Sequence, residues 1–431
     1  MVTQVTSGVV HSMRIGSIPS IARTIVANSG CDRGVLRMEP EMARTRDNDA
    51  CPGALTVHRA ADGALVRIRL AGGMITAAQL TTLAEVAQQF GSPAMELTSR
   101  GNIQLRALTD TGAVAAALTD AGLLPSPTHE RVRNIVASPL SGRSGGVADI
   151  RDLVGELDLA IQADPVLAEL PGRFWFSLDD GRGDVSGLAA DVGAHVLDPE
   201  VAALLLAGID TGVRMAITDV VPTLVDVATR FAEIRGTSWR ITELDDTAAL
   251  LAGLEISAPA GMRWSPTVRP PVGWIDQRDG RIALGAGVPL GVLQARTAQF
   301  LAAIEAPLVI TPWRSVLVGD LDEGTADVSL RVLAPMGLIF DENSPWLDVS
   351  ACTGSPGCAK SRADVRADAA EAANTPGTTH RHFVGCERAC GSPPVGEVLV
   401  AGEDGYHPRS RAREEQIDSR AREEHTDSGP P

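Results

Sequence analysis

Apolar and polar residues alternate through Leu65-Val-Arg-Ile-Arg-Leu70, the pattern of a half-buried strand. The period then lengthens. Leu80, Leu83, Ala84, Ala87 and Phe90 recur at helical spacing, with Thr76 placed to cap the segment and Gly91 to end it. Short strands at Ala94–Leu97 and Ile103–Leu108 and a helix near Ala113–Ala121 complete the unit. The same order returns over 271–320. Asp279-Gly280 matches the turn Asp62-Gly63, and Arg281–Leu284 reads as a strand. Leu290, Leu293, Phe300, Leu301 and Ile304 read as one helix, followed by strands at Leu308–Ile310 and Val316–Val318. Thr98-Ser-Arg100 falls where Thr311-Pro-Trp-Arg314 falls. Repetition of this order predicts two related α+β half-domains, each with an arginine just past a strand.

Polar stretches at 138–146 and 258–271 mark seams. The expected division is an N-terminal extension over 1–45, a first ferredoxin-like half-domain over 46–126 and an α+β lobe over 127–257. A second half-domain over 258–322 and a second lobe over 323–408 follow, then a charged tail over 409–431. The extension has no sustained period and is expected to be disordered, and Met42 is a candidate start. The tail repeats Ser410-Arg-Ala-Arg-Glu-Glu-Gln-Ile-Asp418 almost unchanged as Ser419-Arg-Ala-Arg-Glu-Glu-His-Thr-Asp427. It has almost no apolar face to bury and reads as a solvated, disordered segment.

A chain of 431 residues is long enough for two or three cores. Its net charge of −16 argues against a nucleic-acid partner, and aromatic residues at 3% leave little for base stacking. An anionic ligand therefore needs a local arginine cluster. No apolar run reaches the length of a membrane span, so no membrane partner is expected. No leader-like apolar segment with a cleavage signal precedes the body. The cytoplasm is the expected location, and it suits free thiols.

Cys352, Cys358, Cys386 and Cys390 are four of six cysteines, spaced C-x5-C and C-x3-C. Thiolates are soft ligands, and four from two loops suit an iron–sulfur cluster or a structural zinc. Zinc sites usually carry a C-x2-C pair, and neither pair here is that tight. The Pro/Gly-punctuated loop Thr353-Gly-Ser-Pro-Gly357 offers amides that can close around sulfides, so a [4Fe–4S] cluster is favoured. On a helical turn, Cys386 and Cys390 share one face. Arg100, Asn102, Gln104 and Arg106 occupy alternate positions of Thr98-Ser-Arg-Gly-Asn-Ile-Gln-Leu-Arg106. On a strand they share one face, which lines a wet or anionic pocket or simply faces solvent. Arg133-Asn134 is a further polar pair, and Leu170-Pro-Gly-Arg-Phe-Trp-Phe176 reads as a β-rich run presenting Arg173. Gly285-Ala-Gly-Val-Pro-Leu-Gly291 has the wrong spacing for a dinucleotide loop and reads as a tight turn.

Taken in order, the T-x-R-G-N-I-Q-L-R strand, the R-N-I segment, the L-P-x-basic-F run, the duplicated half-domain and the cysteine pairs resemble the sulfite/nitrite reductase family. The resemblance covers residues 46–405. It implies two ferredoxin-like halves and two larger lobes around a sirohaem. It also implies a [4Fe–4S] cluster beside the sirohaem, with one cysteine, Cys390, bridging the two. Asp49-Ala-Cys-Pro-Gly-Ala-Leu55, Gly73-Met-Ile75, Thr311-Pro-Trp-Arg314 and Val349-Ser-Ala-Cys-Thr-Gly-Ser-Pro-Gly-Cys358 carry a closer likeness to an oxygen-dependent branch of that family. One departure supports that branch. The reductases present two cations on the L-P run, whereas Arg173-Phe-Trp175 puts an indole in place of the second.

This likeness implies a monooxygenase (EC 1.14 class) of aerobic cobalamin synthesis, converting precorrin-3A to precorrin-3B by ring hydroxylation and lactone formation. The tetrapyrrole is then substrate rather than cofactor. Arg100, Arg106, Arg133, Arg173 and Arg314 are the expected carboxylate clamps, with Asn102 and Gln104 beside them. The likeness also implies a mononuclear non-haem iron, for which no ligand triad is legible. Electrons come from an external donor, a ferredoxin or an NADH-linked reductase, because no nicotinamide motif is present. Two other readings stand: a sirohaem-dependent sulfite or nitrite reductase, and a non-catalytic Fe–S or zinc protein.

Overall fold

The computed structural model describes residues 49–375, 377 and 379–409. The expected extension and the repeated tail from 410 lie outside the described residues. The fold is α+β, as the periodicities predict. In the first half-domain, strands Gly63–Ile68, Ile103–Leu108 and Ala94–Leu97 pair antiparallel. Helix Ala77–Phe90 covers them. Thr76 and Gln79 form a reciprocal capping box at its start, and Leu80, Leu83, Ala84 and Ala87 are buried against the sheet. The second half-domain repeats the plan with strands Ile282–Gly287, Ser315–Leu321 and Leu308–Ile310 and helix Ala295–Ala302.

Each half-domain also lends a short strand to the other. Met74–Ile75 pairs with Leu308–Ile310, and Val292–Gln294 pairs with Ala94–Leu97. The two sheets thereby become halves of one apolar core, which includes Leu80, Leu83, Ala298 and Leu301. This exchange corrects the expected helix over Leu290–Ile304. Leu290 is a left-handed turn residue (φ 52°), Leu293 lies on the exchanged strand, and the helix begins only at Ala295. Helix Glu323–Leu333 follows the last of these strands and buries Ala326 and Leu333 in the shared half-domain core.

The first lobe is a five-stranded sheet in which Ile135–Ala137, Phe176–Asp179 and Val192–Val196 run parallel. Helices Arg151–Ala163 and Val220–Ile234 contribute to its core. The second lobe is a four-stranded sheet, with Val349–Ala351, Arg381–Val384 and Glu397–Ala401 parallel. No helix of the described residues is long and apolar enough to cross a membrane.

The exchange depends on close backbone approach at Gly73. Its φ is +73°, and a Cβ there would stand 1.9 Å from the Ile310 carbonyl oxygen. Neither backbone atom can move without unpairing the exchanged strand. Gly73→Ala is expected to destabilise the protein by at least ~2 kcal/mol. Denaturant unfolding checks this, and an unchanged midpoint would count against the strand exchange as a stability determinant.

Candidate functional site

Both cysteine pairs grow from the second lobe's parallel strands. Val349–Ala351 leads directly to Cys352, and the neighbouring Arg381–Val384 leads to Cys386 after one glycine. Ala351 is in register with Phe383, so the two loops leave the same ends of adjacent strands. Brought side by side, they are stitched by hydrogen bonds. Cys352 N–H donates to the Phe383 carbonyl (2.9 Å), and Gly385 N–H donates to Cys352 Sγ (3.4 Å). Cys386–Cys390 is not helical. Ala389 N–H donates to the Cys386 carbonyl across a tight turn, with Ala389 itself left-handed (φ 46°).

The four thiols are free, and the other three lie within electrostatic reach of Cys390. Burial pushes the Cys390 thiol up, and the charges of Cys352, Cys386 and Cys358 raise it further, against the opposing pull of Arg388. Four thiolates cannot share this space without a cation to neutralise them. Zinc draws its thiolates onto one point at about 2.3 Å. Among the described residues, no three Cys, His, Asp or Glu side chains converge in that way. The same finding leaves the expected second iron without a ligand set among the described residues.

A cavity of about 290 Å³ abuts these loops, and Gly391–Pro394, directly after Cys390, form one wall. Arg100, Arg240 and Arg314 line it together with Trp175, Trp313 and Trp346. Among the described residues, no carboxylate is in the lining. Burial pushes Arg314 down to about 10, with nearby Glu96 and Cys352 opposing, and its guanidinium donates to the Gly391 carbonyl (2.7 Å). Its backbone is left-handed (φ 57°), a strained conformation of the kind that recurs where a side chain must be aimed. Burial, then the charge of Arg240, likewise pushes Arg100 down to about 10.

Trp175 organises this wall. The guanidinium carbons of Arg100 and Arg240 lie 5.4 Å and 5.9 Å from its ring centre. Its own indole N–H is buried and has no partner, a donor left for a ligand. The indole does not simply replace a missing cation, because Arg240 brings a second charge from another segment. Asp191 anchors Arg240 through an ion pair of 2.7 Å. Arg240 was not anticipated. It lies in an irregular stretch with no repeated neighbour, and only the fold brings it here.

The other expected clamps are placed elsewhere. Arg106 chelates Asp62 with two bonds of 2.9 Å and donates to the Gly357 carbonyl (2.8 Å). Gln104 bonds Arg67 and Glu96, and Asn102 bonds Leu70 N–H and Asn134. The polar face of that strand is thus an internal joint rather than a wet pocket. Arg133 chelates Asp158 with two bonds of 2.7 Å. Arg173 is exposed in a turn, not on a strand, with its guanidinium carbon 5.1 Å from the Trp239 ring centre. Of the five expected arginines, Arg100 and Arg314 alone line the cavity.

Residues 58–121 match the family model of the nitrite/sulfite reductase ferredoxin-like half domain. The chain is 27% identical to a precorrin-3B synthase of a Sinorhizobium species, over 83% of this chain and 81% of that protein. It is 24% identical to a ferredoxin–nitrite reductase of Synechococcus elongatus, over 78% of this chain and 76% of that one. Among solved structures, the NirA protein of Mycobacterium tuberculosis superposes with a TM-score of 0.65 at 18% identity, covering 85% of this chain and 82% of that one, a likeness of fold. In sequence, the matched half-domain and these relatives make the resemblance one to the nitrite/sulfite reductases. Within that family, the chain resembles precorrin-3B synthase.

Arg133→Ala removes one partner of a largely buried ion pair and leaves Asp158 uncompensated. It is expected to cost about 3 kcal/mol in chemical denaturation. Any binding of a carboxylated tetrapyrrole by the folded fraction is expected to be unchanged, and a selective loss of such binding would return Arg133 to the site.

Proposed function

We propose that the protein inserts one oxygen atom of O2 into a carboxylated tetrapyrrole, converting precorrin-3A to precorrin-3B. The observation that carries this reading is the cavity of three arginines and three tryptophans built against the Cys390 loop. Precorrins carry several acetate and propionate groups, and a guanidinium matches carboxylate geometry. A volume of about 290 Å³ does not enclose a whole tetrapyrrole, so part of the macrocycle would extend through the open side. Arg100, Arg240 and Arg314 would fix which edge faces inward, and that orientation selects the carbon to be oxidised.

Cys352, Cys358, Cys386 and Cys390 would hold a [4Fe–4S] cluster. When bound, it supplies electrons singly, which triplet O2 requires. The balance is substrate–H + O2 + 2e⁻ + 2H⁺ → substrate–OH + H2O. The electrons come from an external one-electron donor, a ferredoxin or a reductase linked to NADH. The Trp175, Trp313 and Trp346 rings would keep bulk water from the reacting edge. A cytoplasmic location fits free thiols and this donor.

One observation favours a second reading, sirohaem-dependent reduction of sulfite or nitrite. Arg240 restores the second cation that the Arg173-Phe-Trp175 run lacks. The absorption spectrum separates the two, because sirohaem gives strong visible bands and a cluster alone gives broad brown absorbance.

Protein purified without oxygen, given reductant, precorrin-3A and ¹⁸O2, is expected to yield a product with one labelled oxygen. Unlabelled product or no conversion would contradict the oxygenase reading. Arg100→Ala is expected to raise KM for the tetrapyrrole by about ten- to a hundredfold. Unchanged steady-state kinetics would remove Arg100 from the site.

A further inference from the structure

One wall of the cavity is the stretch Ser265-Pro-Thr-Val-Arg-Pro-Pro271, which contributes Thr267, Val268 and Pro270 to the lining. It straps the first lobe to the second half-domain. Trp264, just before it, stacks on His195 of the first lobe with ring centres 4.2 Å apart, and strand Gly273–Asp276 begins just after it. Among the described residues, none of 265–271 takes part in a backbone–backbone hydrogen bond. Other walls are tied differently. Gly287 and Ile339 exchange two such bonds, Val349 and Ser350 belong to a paired strand, and Arg314 N–H closes a turn onto Thr311. Three of the seven strap residues are prolines, which have no N–H to give and stiffen the chain.

Side-chain latches hold the strap in place. Trp313 Nε1–H donates to the Thr267 carbonyl (2.7 Å). Arg269 reaches both carboxylate oxygens of Asp348, at 2.7 and 2.6 Å, and also donates to the Glu342 carbonyl (3.2 Å). The Arg269 side chain is 50% exposed, so this ion pair is a weak one. Beneath the strap lie two glycines. A Cβ at Gly187 would stand 2.7 Å from the Ser265 carbonyl oxygen and 2.8 Å from Pro266 Cα, and one at Gly285 would stand 2.2 Å from the Pro271 carbonyl oxygen. Neither glycine has a positive φ, so its own backbone does not require glycine. The close approach of the strap does. The strap is closely seated yet lightly fastened.

We propose that residues 265–271 are a hinged wall, latched by Arg269 to Asp348 and by Trp313 to Thr267, that lifts to let a carboxylated tetrapyrrole into the cavity and then closes. The closed cavity of about 290 Å³ is too small for the whole ring, and this wall can yield without unpairing a strand. Gly273, at a φ of +96°, supplies a pivot at one end, and the Trp264 stack anchors the other. Arg269 is absent from the cavity lining, so loosening its latch weakens the closed wall equally with and without ligand. Entry and exit then both quicken while affinity stays the same. The identity of the ligand rests on the proposed function, whereas the hinge does not.

Two measurements test this. In protein labelled with ¹⁵N-tryptophan, the Trp313 indole N–H is expected to exchange with solvent about two- to fivefold faster in Arg269→Gln. Gly187→Ala, whose methyl group would prop the strap off its seat, is expected to speed it too. Arg269→Glu combined with Asp348→Arg is expected to restore the wild-type rate, which Arg269→Glu alone does not. Exchange unchanged by Arg269→Gln would overturn the hinged wall. Stopped-flow mixing with uroporphyrin, an octacarboxylate tetrapyrrole, is expected to show association and dissociation rate constants both raised about two- to fivefold in Arg269→Gln, with Kd unchanged. Rate constants equal to those of the wild type would overturn the entry role. A weakened Kd with unchanged association would also overturn it, making Arg269 a ligand contact. Faster indole exchange in Arg269→Gln, in a protein that does not bind uroporphyrin, would sink the tetrapyrrole reading and leave the hinge standing.

Discussion

Arg106 fastens the cysteine loop to the ferredoxin-like core. Its guanidinium chelates Asp62 and reaches the Gly357 carbonyl, one residue before Cys358. Glu96, on the neighbouring strand, accepts from Gln104 and from Arg366 of the helix Val365–Ala372. These charges sit at a largely buried seam, where removing one partner of an ion pair costs roughly 3–5 kcal/mol. The second lobe is thereby held in one position against the first half-domain. The position of Cys390 relative to Arg100 and Arg314, and so the cavity itself, depends on that attachment.

The attachment creates an electrostatic inversion. A chain with a net charge of −16 turns three guanidiniums into a cavity with no carboxylate in its lining. Like charges at that density repel, and three devices hold them. Trp175 contributes its ring face to two of them, Asp191 anchors Arg240, and the Gly391 carbonyl receives Arg314. Burial lowers the affinity of Arg100 and Arg314 for their protons, so a carboxylate placed there would lend its neutralising charge where it is worth most.

Periodicity carried much of the fold. The Ala94–Leu97 and Ile103–Leu108 strands fall on the bounds that their composition indicates, and Thr76 caps its helix as expected. The duplication was legible because each half repeats its order of elements. The strand exchange was not, since Met74–Ile75 and Val292–Gln294 are too short to express a period, and their partners are distant in sequence. The cysteines could be found by spacing alone. The cavity could not. Arg106 and Arg133 have the residue type of a clamp, but their carboxylate partners, Asp62 and Asp158, are 44 and 25 positions away. Arg240 carries no local motif, so the tertiary fold alone brings it to the site.

The central claim is that the Cys352, Cys358, Cys386 and Cys390 sulfurs hold a redox cluster against the arginine cavity. The most direct measurement is electron paramagnetic resonance of anaerobically purified protein after reduction, with iron and acid-labile sulfide determined on the same sample. The account predicts about four irons and four sulfides per chain, with a cubane signal abolished by Cys352→Ser and perturbed when uroporphyrin fills the cavity. One zinc per chain with no sulfide, or a cluster signal indifferent to Cys352→Ser, would contradict it.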